Sequence, residues 1–169
     1  VSKAYIGIYA IAAVTAGNGS GLLITGNTIN NATNPVRIVA IYVQGVDGAT
    51  VSNNTIGNLE SASAEFDRSI WFATGTSNST ITGNNISNLS YSGTSTYGPM
   101  GIYVSSGLAN SNLTISGNNI SGITSSGTTS NATSGIYIGS TTGGVVIEKN
   151  QISNIKNTNS GGYSAIGVI

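Results

Sequence analysis

The chain has 169 residues, of which Gly, Asn, Ser and Thr contribute 90, whereas charged residues make up only 6% and the formal net charge is zero. With no basic run, the sequence offers no electrostatic basis for binding nucleic acid or an anionic membrane surface. The absence of Cys and His excludes disulfides, thiol nucleophiles and the usual zinc ligands. No apolar run reaches the length of a membrane span, so we expect no membrane insertion. We also expect no bound metal and no cofactor.

The first predicted element of each repeat is a short strand of the type GIYV. Its copies read IGIYA, VAIYV, RSIWF, MGIYV, SGIYI and SAIGV, centred on Ile8, Ile41, Ile70, Ile102, Ile136 and Ile166. Apolar and polar or small residues alternate within each copy, and this period of two is typical of β-strands. The centres recur about every 32 residues, which predicts one structural unit per repeat with length differences confined to the loops.

The second and third predicted strands lie on either side of an asparagine. Five segments align without a gap: ITGNTINNA at 24–32, VSNNTIGNL at 51–59, ITGNNISNL at 81–89, ISGNNISGI at 115–123 and IEKNQISNI at 147–155. Their sixth position is always Ile, and their fourth is always Asn, at Asn27, Asn54, Asn84, Asn118 and Asn150. We predict that this asparagine occupies a bend where a left-handed backbone is tolerated and that its amide bonds from coil to coil.

Three short strands per repeat describe one coil of a solenoid, in which parallel strands of successive coils stack. The predicted fold is therefore all-β, a single-stranded parallel β-helix of about five coils with three short strands each. Residues 1–169 form one such domain. The first and last coils have no capping segment, so we expect an uncapped piece of a longer protein or assembly.

The motifs ITGNNISNL, ISGNNISGI and GIYV resemble the right-handed parallel β-helix repeats of the pectate-lyase-like superfamily, particularly the Asn/Ser/Thr-rich versions in bacterial secreted and surface proteins. The resemblance covers residues 5–169 and implies a right-handed coil, in keeping with the bias of parallel crossovers. It does not select a function, because the superfamily includes lyases, hydrolases, adhesins and structural stalks.

One column of large residues is predicted on the outside of the coils. The residue after each strand-centre Ile is aromatic in five copies, at Tyr9, Tyr42, Trp71, Tyr103 and Tyr137, and is Gly167 in the sixth. The residue before it is always Gly, Ala or Ser, so we expect a trough of small residues beside the aromatic ladder. Exposed aromatics bind sugars and proteins, but rings spaced by one strand also stabilise each other, so both roles stay open.

The charged residues are dense in only one loop, ESASAEFDR, which contains Glu60, Glu65, Asp67 and Arg68, with Arg37 one coil earlier. A carboxylate pair in this loop could in principle serve glycoside hydrolysis. The superfamily's lyases use clustered Asp residues with a basic residue, and its hydrolases use Asp pairs with His and a pair of basic residues; neither cluster appears in this sequence. We therefore expect these side chains to be solvated or paired with a neighbouring Arg, with no catalytic residue.

The sequence thus predicts a non-enzymatic structural or adhesive rod of a secreted or cell-surface protein. Its partners would be the rest of a larger surface protein or neighbouring subunits, with polysaccharide binding along the aromatic ladder as a further possibility. Recognition would use that ladder or the variable loops at 60–68, 90–99, 124–133 and 156–163. The alternative is a fragment of a polysaccharide lyase or glycoside hydrolase.

A further repeated pattern, Thr-x-Thr/Ser, begins at Thr50, Thr80 and Thr114. It is typical of any exposed strand.

Overall fold

A computed structural model describes residues 4–15, 18–29, 33, 36–62, 65, 67–94, 98–127, 132–158 and 165–169. Eighteen β-strands lie in these ranges, and the described residues contain no helix. The strands are β1 (Ile6–Ile11), β2 (Gly19–Ser20), β3 (Leu23–Thr25), β4 (Thr28–Ile29), β5 (Val39–Gln44), β6 (Val46–Asp47), β7 (Thr50–Ser52), β8 (Thr55–Ser61), β9 (Arg68–Phe72), β10 (Thr80–Thr82), β11 (Asn85–Tyr91), β12 (Met100–Val104), β13 (Leu113–Ser116), β14 (Asn119–Ser125), β15 (Thr133–Ile138), β16 (Val145–Glu148), β17 (Gln151–Asn157) and β18 (Ala165–Val168).

Three parallel sheets run along the axis of the coil. Sheet 1 has the order β1-β5-β9-β12-β15-β18, sheet 2 has β3-β7-β10-β13-β16, and sheet 3 has β4-β8-β11-β14-β17. Each strand pairs with its equivalents one coil earlier and one coil later, in parallel. A further short pair, β2 with β6, lies outside these sheets. The molecule is therefore the predicted parallel β-helix, and four turns separate the first and last copies of the asparagine motif.

The core is a set of aliphatic columns, one or two from each sheet. In sheet 1, Ile41, Ile70, Ile102 and Ile136 stack in register. Columns in sheet 3 run through Ile56, Ile86 and Ile120, and through Leu59, Leu89 and Ile123. These side chains are fully buried, and β-branched residues suit the pleated strands that carry them. The core is consequently a narrow column that fills the inside of the coil and extends along the axis through the stacked coils.

The register of the last strand differs from the sequence prediction. Val168, and not Ile166, pairs with Ile136, while Ile166 pairs with Ser134. The equivalent of Tyr137 is therefore Ile169 and not Gly167, which is instead the neighbour of Gly135. The segment SAIGV contains two aliphatic residues two positions apart, so alternation alone fits either register, and only pairing with β15 separates them.

Candidate functional site

The asparagines at the fourth motif position form a hydrogen-bonded ladder between sheets 2 and 3. Asn54 donates from its backbone N and its Nδ2 to Oδ1 of Asn84, at 3.0 and 2.9 Å, and Asn84 does the same to Asn118 at 3.0 Å in both bonds. Each Nδ2 also donates to a carbonyl of the preceding coil, as from Asn84 to Val51 at 3.0 Å. The amides of Asn27 and Asn150 continue the series at its two ends. Each central amide therefore links three coils.

The left-handed backbone predicted at this bend is not at the ladder asparagine. It occurs one residue earlier, at Gly26 (φ 66°), Asn53 (φ 53°), Gly83 (φ 64°), Gly117 (φ 63°) and Lys149 (φ 55°). Gly and Asn are the residues that adopt this conformation at low cost, whereas Lys is an exception. The bend at this preceding residue lets the ladder side chain enter the coil, where Asn54, Asn84 and Asn118 are 1% exposed. Burial and hydrogen bonding thus explain why the fourth motif position is Asn. The left-handed bend explains why the third position is most often Gly or Asn.

The predicted aromatic column lies on sheet 1 in register from Tyr9 to Tyr137. Adjacent ring centroids are 4.9 to 5.4 Å apart, with interplanar angles from 36° to 81°. Tilted and edge-on contacts at this distance are favourable. Two polar atoms of the column bond close to it, Tyr42 Oη to Gln44 Oε1 at 2.6 Å and Trp71 Nε1 to Ser105 Oγ at 2.8 Å. The rings therefore contact mainly each other, and Tyr9, in the first coil, is the most exposed at 60%.

Arg68 joins this column from the first position of β9. Its Cζ lies 4.2 Å from the ring centroid of Trp71 and 4.3 Å from that of Tyr103, although the residue is only 1% exposed. Ring faces attract a guanidinium and stabilise it where water is excluded. Burial lowers the pKa of Arg68 to about 9, which leaves it charged at neutral pH. The sequence predicts Arg68 only as a neighbour that could pair with the acids of the loop, and its burial against the aromatic rings was not foreseen.

The small residues before each strand-centre Ile do not form an outer trough. Ala40 and Ser69 are 0% and 1% exposed, and Gly101 and Gly135 are buried too. A Cβ on Gly101 would lie 2.8 Å from Cγ2 of Ile120, and one on Gly135 would lie 2.6 Å from Cγ2 of Ile152. Both positions therefore face the core, where the opposite sheet approaches closely, and this contact explains why they are small.

Asp67, in the charged loop, is also buried rather than solvated. It is 0% exposed, and neither carboxylate oxygen has a hydrogen-bond partner of standard geometry. Burial raises the pKa of Asp67 to about 8, against the smaller lowering effects of the Ser61 hydroxyl, Arg68 and Arg37. The carboxyl is consequently neutral over most of the physiological range, because burial disfavours its charged form more than these neighbours favour it. Glu60 and Glu65 are exposed, as expected.

Sheet 3 has a second left-handed column that the sequence analysis missed. It lies at the middle of each long strand, at Asn58 (φ 54°), Asn88 (φ 56°), Gly122 (φ 67°) and Asn154 (φ 52°). The strands bend there, and a groove of about 330 Å³ lies along the outer face of β8, β11 and β14. The signal was available in the motif, whose eighth position is Asn or Gly in all five copies.

A family model described as "Right handed beta helix region" matches residues 7–167, nearly the whole chain. The chain belongs to this family. The match agrees with the parallel sheets and confirms the parallel β-helix predicted from the repeats, together with the right-handed coil that the resemblance implied. Searches of curated proteins and of solved structures gave no match. The family match establishes the fold, and it leaves open whether the β-helix is an enzyme.

The remaining outer surface of the β-helix is dominated by uncharged hydrogen-bonding groups. On sheet 2, Ser52 Oγ bonds to Thr25 Oγ1 at 3.0 Å, so part of the Thr/Ser column is linked from coil to coil. Nearby, Asn78 bonds to Asp47, and Asn112 Nδ2 bonds to Asn78 Oδ1 at 2.8 Å, which makes a short second ladder in solvent. Amide and hydroxyl columns thus lie outside the coil as well as inside it.

Charged side chains are few in the described part of the chain. Lys149 and Glu148 form an ion pair at 3.7 Å between exposed side chains, a contact of little energetic weight. Within the same residues there is no group of three acidic, His or Cys side chains that could hold a metal ion, and no helix long and apolar enough to cross a membrane. The predicted recognition loops fall partly on residues 63–64, 66, 95–97, 128–131 and 159–163, which lie outside the described ranges.

Proposed function

We propose that this β-helix is a rigid, non-enzymatic rod of a secreted or cell-surface protein, with a structural or adhesive role. The observation that carries the proposal is the continuous ladder from Asn27 to Asn150, together with the register of three parallel sheets. Every coil is joined to its neighbours by backbone bonds, buried amides and aliphatic columns. Such a stack resists bending because any bend must break hydrogen bonds in several columns at once.

The aromatic ladder supports a structural role on the outside of the rod. Ring-to-ring contacts of 4.9 to 5.4 Å use much of the surface that a sugar would need for stacking. Partner binding along Tyr9 to Tyr137 would therefore use ring edges and hydroxyl groups. A flat protein surface suits these edges better than a sugar ring does, so a neighbouring subunit or another part of a larger surface protein is the partner we propose for this face.

The position of the charged groups supports the non-enzymatic part of the proposal. Asp67 and Arg68 are buried, so neither can contact a polymeric substrate on the surface. Glu60 and Glu65 remain as the exposed carboxylates of this loop. Polysaccharide cleavage needs an acid and a second carboxylate or base acting on one bond. The low charge of the whole chain also suits a scaffold better than a catalyst.

The proposal is tested by assaying the purified protein on acidic and neutral polysaccharides. Reducing ends report hydrolysis, and ultraviolet absorbance of unsaturated products reports elimination. We expect no release above the buffer control. Turnover that is abolished by Glu65→Gln or Asp67→Asn, in variants that unfold at the wild-type temperature or above, would overturn the rod and favour a polysaccharide lyase or hydrolase.

A further inference from the structure

Two tyrosines of neighbouring coils meet on the outside of sheet 1 with a geometry suited to a covalent bond. Tyr9 and Tyr42 pair in register across β1 and β5, and their ring centroids are 5.0 Å apart with an interplanar angle of 36°. The chain contains no Cys, so a disulfide cannot join two coils. We propose that Tyr9 and Tyr42 form an oxidation site, at which a one-electron oxidant links the two rings into a dityrosine that ties the first coil to the second.

The first step is proximity. Dityrosine forms when the Cε carbons of two phenoxyl radicals join, and the centroids of two bonded rings lie only slightly closer than the 5.0 Å between Tyr9 and Tyr42. The parallel pairing of β1 with β5 holds both Cα atoms in place. The rings therefore need only turn about their side-chain bonds, and a radical on one ring meets the other ring at a high effective concentration.

The second step is access to the oxidant and a path for the proton. Tyr9 is 60% exposed, whereas the other four rings of the column are half-buried. An oxidant in solution therefore reaches Tyr9 first. Tyr42 Oη donates a hydrogen bond to Gln44 Oε1 at 2.6 Å, and a phenol loses an electron more readily when its proton can shift toward an acceptor. The pair thus combines one ring open to the oxidant with one whose hydroxyl proton already has an acceptor.

The third step is charge, which disfavours the other tyrosine pair of the column. Tyr103 and Tyr137 have ring centroids 5.4 Å apart at an angle of 64°. The Arg68 Cζ atom, however, lies 4.3 Å from the Tyr103 ring centroid and 4.2 Å from that of Trp71. A guanidinium this close opposes the loss of an electron from either ring. Burial raises the pKa of Tyr42, and the opposing effect of Arg68 on it is the smallest of three. Oxidation is therefore favoured in the first two coils.

The reaction balances with hydrogen peroxide as the oxidant. Each phenol gives up one electron and one proton, and the two phenoxyl radicals join through a Cε–Cε bond. The two ring hydrogens then move to the oxygens, which restores both phenols. In sum, two Cε–H bonds break and one C–C bond forms, while one peroxide takes up two electrons and two protons and becomes two waters.

The link would hold the less buried of the two coils. Ile8, in the first coil, is only partly buried, whereas its register partner Ile41 is 0% exposed. A covalent bond between the coils restricts the unfolded chain, so the oxidised protein should unfold at a higher temperature. This inference goes beyond the proposed function, because it concerns a modification of the chain and holds for any partner of the rod.

The test is oxidation of the whole chain, in dilute solution, by hydrogen peroxide and a haem peroxidase. Trypsin cleaves after Lys and Arg, so Tyr9 falls in fragment 4–37 and Tyr42 in fragment 38–68. We expect dityrosine fluorescence from a monomeric product, and mass spectrometry should find these two fragments joined with the loss of two hydrogens. The same oxidation in concentrated urea should lose this preference, because the two rings no longer lie side by side.

Phe variants identify the rings, because Phe keeps the ring in the column and removes only the hydroxyl. We expect Tyr9→Phe and Tyr42→Phe to lower the yield of the joined fragments about tenfold or more, because coupling then lacks its neighbouring phenol. Tyr5→Phe is the matched control, since Tyr5 lies in the same fragment and is equally exposed, at 59%, but is not part of the column. It should leave the yield unchanged. Thermal unfolding of each variant checks that it folds.

The second tyrosine pair serves as an internal comparison. Tyr103 and Tyr137 stay together in fragment 69–149, so a bond between them shortens no other fragment and is counted separately. The proposal is overturned if the folded chain forms no dityrosine, if this second pair couples as much as the first, if the bonds join separate molecules, or if Tyr9→Phe keeps the wild-type yield of joined fragments.

Discussion

Two ladders follow the rod from coil to coil, and they differ in how they hold it. The inner one consists of Asn side chains that are about 1% exposed at its centre and satisfy both donors and the acceptor of each amide. The outer one consists of aromatic rings in tilted or edge-on contact, which stay partly exposed. A buried amide without its partner is costly, whereas a ring without its neighbour loses only a contact. The inner ladder therefore specifies the coil register, and the outer ladder reinforces it.

The largest loss of stability is expected when a central amide of the inner ladder is removed. Asn84→Ala deprives Asn54 of its acceptor and Val51 of a donor in the core. We expect the free energy of unfolding to fall by about 3–5 kcal/mol, measured by urea denaturation. Asn27→Ala, at the half-buried first rung, should cost about 1 kcal/mol. Equal losses at the two positions would mean that burial does not decide the strength of the ladder.

The next prediction concerns the buried carboxyl of Asp67, which lies beside Arg68 at the aromatic ladder. The pKa of Asp67 is about 8 in the folded protein and 3.8 in its ordinary state. Between these values the unfolded chain releases a proton that the folded chain keeps, so stability falls by a few kcal/mol as pH rises from about 4 to 8. Asp67→Asn should flatten the pH profile of the unfolding midpoint. A profile of unchanged slope in this variant would refute the assignment.

A smaller effect is expected where the small residues face the core. Gly101→Ala places a methyl group 2.6 Å from the Gly135 carbonyl oxygen and 2.8 Å from Ile120 Cγ2. Overpacking of this kind should cost about 1–3 kcal/mol. Gly107→Ala is the contrast, since its added Cβ meets nothing within 4 Å, although its φ of 74° still strains an alanine. Differential scanning calorimetry should therefore show the larger loss for Gly101→Ala.

The smallest effect is expected on the outer ladder. Tyr103→Leu removes two ring contacts and one of the two ring faces beside Arg68, while it keeps an apolar side chain on the strand. We expect a loss of about 1–2 kcal/mol. A loss larger than that of Asn84→Ala in the same urea assay would reverse the ranking of the two ladders.

Most of the fold could be predicted from the sequence because the repeat fixes it. The fourth-position Asn and the sixth-position Ile recur in every copy, so their columns and the parallel stacking follow from alignment alone. The last strand was misaligned because Ile166 and Val168 are two residues apart, and a strand of that pattern fits two registers equally well.

The outer surface was predicted less well, because the alternation of residues along a strand does not report how closely neighbouring sheets and loops approach it. Alternation put Gly101 and Gly135 outside, yet a Cβ on either would meet a core Ile of sheet 3, Ile120 or Ile152. Composition suggested that the acids of the charged loop would be solvated or paired with a neighbouring Arg, whereas the structure buries both Asp67 and Arg68. The groove depends on a positive φ at Asn58 and Asn88, which side-chain periodicity does not report.

The inner amides have one further consequence, because every one of them is oriented the same way. From Asn27 to Asn118, each side-chain amide directs one N–H group to the Oδ1 atom of the Asn in the following coil. The side-chain dipoles therefore add along the axis, as peptide dipoles do in an α-helix. The series has its oxygen end at Asn27 and its N–H end at Asn150. The rod is thus electrically directional, and a coil that joined it upside down would set oxygen against oxygen.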